Sequence, residues 1–265
     1  MKRVLIFDSG VGGLSIYQEI YRQLPQVQYV YAFDDAAFPY GELPDSELIE
    51  RTSHIVTRLV ERHQVDLVVI ACNTASTIVL PSLREQLSIP VVGVVPAIKP
   101  AALASKRKAI GLLATPATIT RQYTDILISQ FANDCEVLRI GSTRLVEMAE
   151  EKLRGKPVSI TELREILSAW QGKVDCIVLG CTHFPLIKEE VLLAVGEKVQ
   201  VIDSGMAIAN RVKALLGDVV VHQQVFSNFT YNSAAGENAA ALNISLEQLG
   251  LSAIESLNYP RSLVR

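Results

Sequence analysis

Short runs of apolar residues alternate with longer amphipathic stretches along almost the whole chain. The runs at 3–7, 28–33, 66–71, 90–95, 109–114, 135–140, 174–180 and 199–203 are largely apolar at consecutive positions. Such runs predict strands with both faces buried. Between them, apolar positions recur at helical spacing, as at 14–24, 45–63, 75–87 and 186–195. Strands of this kind separated by helices predict an α/β fold of mostly parallel sheets flanked by helices.

The pattern also repeats. Cys72 and Cys181 lie 109 residues apart (181 − 72), and each follows a strand of the same length. A further strand begins 18 residues after each cysteine, "PVVGVV" at Pro90 and "VQVIDS" at Val199. Upstream, "RVLIFDSG" (3–10) has a counterpart in "AIGLLATP" (109–116), at an offset near 107. Two pseudo-symmetric α/β halves follow, roughly 1–96 and 97–205. The tail, 206–265, is expected to return and complete the first half. The first domain is then discontinuous, 1–96 plus 206–265, and the second spans 97–205. Within the tail, "VVVHQQVFSNFTYNS" (219–233) alternates like an antiparallel pair. "NISLEQLGL" (243–251) reads as a short helix with Ser245 as its cap.

Composition narrows the function classes. The 265 residues are 49% hydrophobic and 20% charged, enough for a sizeable core and unlike a disordered chain. A net charge of −3 and a pI near 5.9 give no global reason to expect nucleic acid or an anionic membrane as partner. The opening "MKRVLIFDSG" has an apolar run of only Val4 to Phe7, too short for a secretory signal, which needs about 7–15 such residues. No stretch approaches the roughly 20 apolar residues of a membrane span. A cytoplasmic location is expected, with the four cysteines reduced. None of them forms a C-x-x-C pair, so neither zinc nor a dithiol redox motif is indicated.

Open α/β sheets bind ligands beyond the carboxyl ends of their strands. Those ends are polar here: Asp8-Ser9-Gly10, Cys72-Asn73-Thr74, Thr115, and Cys181-Thr182-His183. Cys135 and Cys176 begin or sit within strands and read as small apolar filler. Cys72 and Cys181 sit at strand-to-helix junctions, where a helix N-terminus favours thiolate. Asn73 or Thr74 is placed to cap after Cys72, and Pro185 suits a first helical turn after Cys181.

Two matched thiols restrict the chemistry. Disulfide exchangers normally hold both sulfurs in one C-x-x-C loop, and a thiol hydrolase built on Cys181 and His183 leaves Cys72 without a role. Removing a proton from one face of a carbon and returning one to the other needs two acid/base groups, one ionised and one protonated. That reaction is racemisation. His183 and Asp8 are placed to tune the two thiols. "DSGVGGL" lacks the spacing of a dinucleotide loop and reads as a tight turn whose N–H groups can approach a carboxylate. No P-loop occurs. "FPYGEL" (38–43) is a loop directed at the same rim. The hydroxyls and amides of Ser9, Asn73, Thr74, Thr115, Thr118 and Thr182, without a Lys/Arg cluster, suit a small zwitterion better than a phosphate.

With "FDSGVGGL", "FPYG", "ACNTAS", "PVVGVV", "GCTHFPL" and "VIDSG" in that order, nearly the whole chain resembles the cofactor-independent glutamate racemases, within the aspartate/glutamate racemase superfamily. The resemblance implies two α/β domains with the active site in the cleft between them, and interconversion of L- and D-glutamate to supply peptidoglycan synthesis. It implies that Cys72 takes the Cα proton of D-glutamate and Cys181 that of L-glutamate, with Asp8 and His183 assisting. It implies substrate contacts from Ser9, Tyr40, Gly41, Asn73, Thr74 and Thr182, and from Thr115 and Thr118, where "LLATPATIT" departs from the family's glycine-richer version. A carboxylate around Glu150 also has a family counterpart but is not counted among the expected site residues. The expected partners are L- and D-glutamate, a second copy in a homodimer, and in some relatives a peptidoglycan-precursor activator; no cofactor and no metal are expected. Aspartate racemases tend to carry Glu at the position of His183. An aspartate or other amino-acid racemase, or a protein-binding regulator of DNA gyrase, remain the alternative readings.

Overall fold

The protein is described from a computed structural model, over residues 1–196, 198–219, 227–234 and 239–259. The chain divides into two compact units, Met1–Val94 with Gly205–Arg265, and Val95–Ser204.

The first unit opens with β1 (Arg3–Asp8), α1 (Leu14–Gln23), β2 (Gln28–Phe33), α2 (Asp45–His63), β3 (Leu67–Ile70), α3 (Asn73–Gln86) and β4 (Val91–Gly93). Every residue of β2 and β3 is buried, and all but the first of β1, as continuous apolar runs require. Leu5, Phe7, Val30, Val68 and Ile70 are fully buried in one core cluster with α2 and α3 residues such as Ile55 and Val79. Each such side chain contributes about 1.5–3 kcal/mol relative to exposure. α2 follows the helix dipole, with Asp45 and Glu47 in its first turn and Arg62 and His63 in its last.

The second unit runs α4 (Ile98–Ala104), β5 (Ala109–Ala114), α5 (Pro116–Thr120), α6 (Gln122–Phe131), β6 (Glu136–Gly141), α7 (Arg144–Leu153), α8 (Ile160–Ile166), β7 (Cys176–Leu179), α9 (Lys188–Val195) and β8 (Gln200–Ile202). Its sheet has the order β6-β5-β7-β8, parallel throughout. The central β5 and β7 are fully buried. β6 and β8 have no fully buried position, which corrects the expectation of two buried faces at 135–140 and 199–203. They are the edge strands, covered on one side only by a neighbour.

The chain then returns to the first unit through α10 (Gly205–Leu216), β9 (Asn228–Asn232), α11 (Ala239–Gln248) and β10 (Leu251–Ser256). α10 packs on α1, and among the described residues the sheet is six-stranded, in the order β10-β9-β2-β1-β3-β4. β9 lies parallel to both β2 and β10, so it is not half of an antiparallel hairpin with either; residues 220–226 of the expected pair lie outside the described residues. Ser245 does not cap a helix either. α11 begins at Ala239, and the Ser245 carbonyl accepts from Leu249 N near its end.

The two sheets share one local topology. Phe7 pairs with Ile70, and Leu113 with Leu179, at matching places in β1/β3 and β5/β7. β3 and β7 therefore correspond at an offset of 109 (179 − 70), and β1 and β5 at 106 (113 − 7). Among the described residues, no helix is long and apolar enough to cross a membrane.

Candidate active site

In each sheet the first strand is flanked by the second on one side and the third on the other: β1 by β2 and β3, β5 by β6 and β7. The chain reverses its direction of winding there, which opens a crevice at the carboxyl ends of the two central strands. The strand-end residues named from the sequence stand at these two points.

In the first unit, Ala71 N donates to the Phe7 carbonyl at 2.7 Å, which sets Cys72 beside the end of β1. Cys72 itself is the N-cap of α3: its Sγ accepts from Ala75 N at 3.4 Å. The cap is thus not Asn73 or Thr74, which already have helical backbone. A sulfur receiving a helix N–H, next to the positive end of the dipole, is stabilised as thiolate. Ser9 Oγ lies 3.6 Å from Cys72 Sγ and 3.3 Å from Asp8 Oδ1, linking thiol, hydroxyl and carboxylate. Asp8 is fully buried; it accepts from Ser9 N at 2.6 Å and from Gly13 N. The turn "DSGVGGL" therefore wraps its N–H groups around the carboxylate of Asp8 itself. Gly13 is required for this approach, since a Cβ there would sit 3.0 Å from Asp8 Cβ and 3.0 Å from the Tyr31 hydroxyl.

Asn73 and Thr74 are buried beside the thiol. Asn73 Nδ2 has no hydrogen-bond partner among the described residues, although a buried amide left so costs about 1–3 kcal/mol. It is a donor suited to a carboxylate. Tyr40 is also buried, but its hydroxyl donates to Asp34 Oδ2 at 2.7 Å. Burial, then the Asp34 charge, push the phenol well above its usual range, so it remains a neutral donor. Gly41, the next residue, is half-buried.

In the second unit, Gly180 N donates to Leu113 O at 2.7 Å, the counterpart of the bond from Ala71. Cys181 is not followed at once by an α-helix. A 3-10 turn over Phe184–Ile187 comes first, with Pro185 in it, and α9 begins only at Lys188. An imidazole stands beside this thiol instead: Cys181 Sγ lies 3.7 Å from His183 Nδ1. His183 Nε2 lies 2.9 Å from Glu150 Oε1, and Arg154 Nη1 donates to the other oxygen of Glu150. His183 and Glu150 are both buried. Burial opposes the charge on the imidazole, but the hydrogen bonds to Cys181 and Glu150 outweigh it and hold His183 well above the usual histidine range. Thiol, imidazole, carboxylate and guanidinium are joined in one series of contacts.

Thr115 caps α5, accepting from Thr118 N at 3.2 Å, and the two hydroxyl oxygens are 2.9 Å apart. Thr182 and Thr118 are buried. The remaining cysteines differ in kind. Burial, followed by the Asp175 charge, pushes Cys176 up to about 11, and burial raises Cys135 as well. Neither is prepared to ionise. Glu150, outside the expected set, is joined to His183. Its neighbours Glu147 and Glu151 share its helix, and only its burial among these three marks it.

The family model described as Asp/Glu/Hydantoin racemase matches residues 5–212. The chain is similar to a protein named glutamate racemase from Aliivibrio fischeri (strain ATCC 700601 / ES114), 60% identical over 261 residues, covering 98% of this chain and 99% of that one. It is similar to the crystal structure of Escherichia coli glutamate racemase in complex with L-glutamate and activator UDP-MurNAc-ala, with a TM-score of 0.91 and 47% identity over 96% of this chain and 97% of the other. It is also similar to the glutamate racemase structure from Francisella tularensis subsp. tularensis SCHU S4 in complex with D-glutamate, at a TM-score of 0.78 and 25% identity, over 97% and 98% of the two chains.

Proposed function

The chain belongs to the Asp/Glu/Hydantoin racemase family, and from that membership we propose that it interconverts L- and D-glutamate by proton transfer at Cα between two thiols. The observation that carries this reading is the pair of cysteines at matching strand ends, each with its own acid/base group: Ser9 and Asp8 for Cys72, His183 and Glu150 for Cys181. D-glutamate so formed supplies peptidoglycan synthesis in the cytoplasm. A peptidoglycan precursor is proposed as an activator, by likeness to the Escherichia coli protein, and a homodimer as the working form.

In the L-to-D direction, the Cys181 thiolate takes the Cα proton while His183 carries the compensating positive charge. The S–H bond forms as the Cα–H bond breaks, and the electron pair moves onto the substrate carboxylate. Cys72 then protonates the opposite face and is left as thiolate beside the α3 N-terminus. The D-to-L direction reverses each step. The Cα proton is far less acidic than a free thiol, whose pKa is about 8.5, and no pyridoxal-type electron sink is invoked. Stabilisation of the developing carboxylate charge falls to fixed donors, for which the Asn73 amide and the Thr115, Thr118 and Thr182 hydroxyls are proposed.

Circular dichroism of purified protein with L- or D-glutamate and no added cofactor should relax to a racemic signal from either side. Activity that disappears on dialysis against a chelator and returns only with a metal would overturn the cofactor-free mechanism. A strong preference for aspartate would overturn the substrate.

The raised basicity of His183 has a definite sign. A histidine whose folded pKa exceeds its unfolded value of about 6.5 lends stability that is fully present below that value. That stability is lost as pH rises through the higher folded pKa. Histidine NMR should therefore show His183 still protonated well above pH ~6.5, and Glu150→Gln should move its midpoint down. A wild-type midpoint at or below ~6.5 would remove the proposed imidazolium.

A further inference from the structure

Asp34 and Arg51 form an ion pair in which neither residue has appreciable contact with solvent. Arg51 Nε donates to Asp34 Oδ2 and Arg51 Nη2 to Oδ1, both at 2.7 Å. Burying such a pair costs several kcal/mol per ion in desolvation, and an apolar pair of similar volume is often as stable. Stability alone is a poor account of it. Its connections offer a better one.

Asp34 sits where β2 ends, and its backbone N–H donates to the carbonyl of Asp8 at 3.1 Å. Its carboxylate also takes the hydroxyl of Tyr40, the first residue of the 3-10 turn Tyr40–Glu42. One residue thus ties that turn, through its carboxylate, to the strand end carrying Asp8, through its backbone N–H. Behind it, Arg51 Nη2 donates to the Tyr259 carbonyl at 3.0 Å, and the guanidinium lies 4.6 Å from the centre of the Tyr259 ring. His54 stacks on the same ring, with centroids 4.5 Å apart, and Tyr259 N donates to Ser233 O at 3.0 Å. The late part of the chain is clamped onto the pair.

We infer that Asp34 and Arg51, closed off by Tyr259, are positioning residues that hold the Tyr40–Gly41 turn in place for substrate. The inference rests on the proposed function, in which this turn meets glutamate. The Tyr40 hydroxyl is committed to Asp34, so the turn presents its backbone at Gly41. Displacing it weakens binding of ground state and transition state alike.

The test uses the full chain, comparing Arg51→Lys, Tyr40→Phe, their double variant and Tyr259→Ala with wild type. Arg51→Lys keeps the charge and loses the two-pronged geometry. It should raise KM for glutamate about tenfold in both directions and change kcat less than about threefold. Tyr40→Phe should act in the same sense, and the double variant should be no worse than the more damaged single. Tyr259→Ala, at a half-buried position, should raise KM about threefold, and it carries the test if Arg51→Lys does not fold. Unchanged KM with a lowered Tm would make the clamp purely structural and overturn the inference. Multiplying KM effects in the double variant would do the same, since the Tyr40 hydroxyl would then meet the substrate independently. A wild type that fails to racemise glutamate sinks the functional reading instead; a racemising wild type with unmoved KM values in the variants sinks this inference alone.

Discussion

Replacing either Cys72 or Cys181 with alanine should abolish racemisation in both directions, by at least about 10³-fold, while Cys135→Ala stays within about twofold of wild type. The asymmetry among four free cysteines is physical. Cys72 takes a helix N–H and faces Ser9, and Cys181 faces an imidazole. Cys135 and Cys176 are pushed towards the neutral thiol. In the proposed reaction each direction uses one sulfur as base and the other as acid, so losing one should remove both directions at once. A thiol hydrolase would behave differently: Cys181 and His183 would suffice, and Cys72→Ala would retain activity. Full racemase activity in either alanine variant, followed by circular dichroism from both enantiomers, would overturn the two-thiol assignment.

The parts legible in the sequence were those written in local pattern. Continuous apolar runs mark β1, β2, β3, β5 and β7 because these strands are covered on both faces, and the matched Cys-x strand ends mark a shared topology. The edge strands β6 and β8 interrupt their apolar runs with the exposed polar residues Glu136, Arg139 and Gln200, a mark of one-sided cover that the apolar run alone does not display. β9 has partners that no local pattern names. Alternation along "SNFTYNS" cannot say which strand it will pair with, and its parallel partners are β2, near the start of the chain, and β10, on the far side of α11.

The site shows the same division. Asp8, Ser9 and Cys72 come together because adjacent strand ends bring them there, and that adjacency follows from the α/β pattern. Cys72 caps α3 in place of the expected Asn73 or Thr74; a cysteine seldom enters the usual set of capping residues. Charge alone does not separate Glu150 from Glu147 and Glu151; burial against His183 does. The Asp34–Arg51 pair spans a 17-residue separation and closes on Tyr259, more than 200 residues further on, so no local spacing could announce it.

In D₂O, the product glutamate should carry deuterium at Cα from the first turnover, while substrate recovered at a few per cent conversion stays largely protiated. The two halves of this result have different origins. If Cys72 and Cys181 serve opposite faces, the hydrogen removed by one is not the hydrogen delivered by the other. The delivering thiol has exchanged with solvent before the substrate arrives, so product receives solvent deuterium. Returning the carbanion to substrate requires the thiol that has just taken the proton, and that thiol still holds protium. Two sulfurs with unlike partners make this division robust, since no single side chain has to reach both faces. One base swinging from face to face would carry part of the original hydrogen into product. The measurement is the Cα isotope content of both enantiomers at early conversion, starting once from L-glutamate and once from D-glutamate. Substantial protium in the product from either starting enantiomer would be incompatible with two bases.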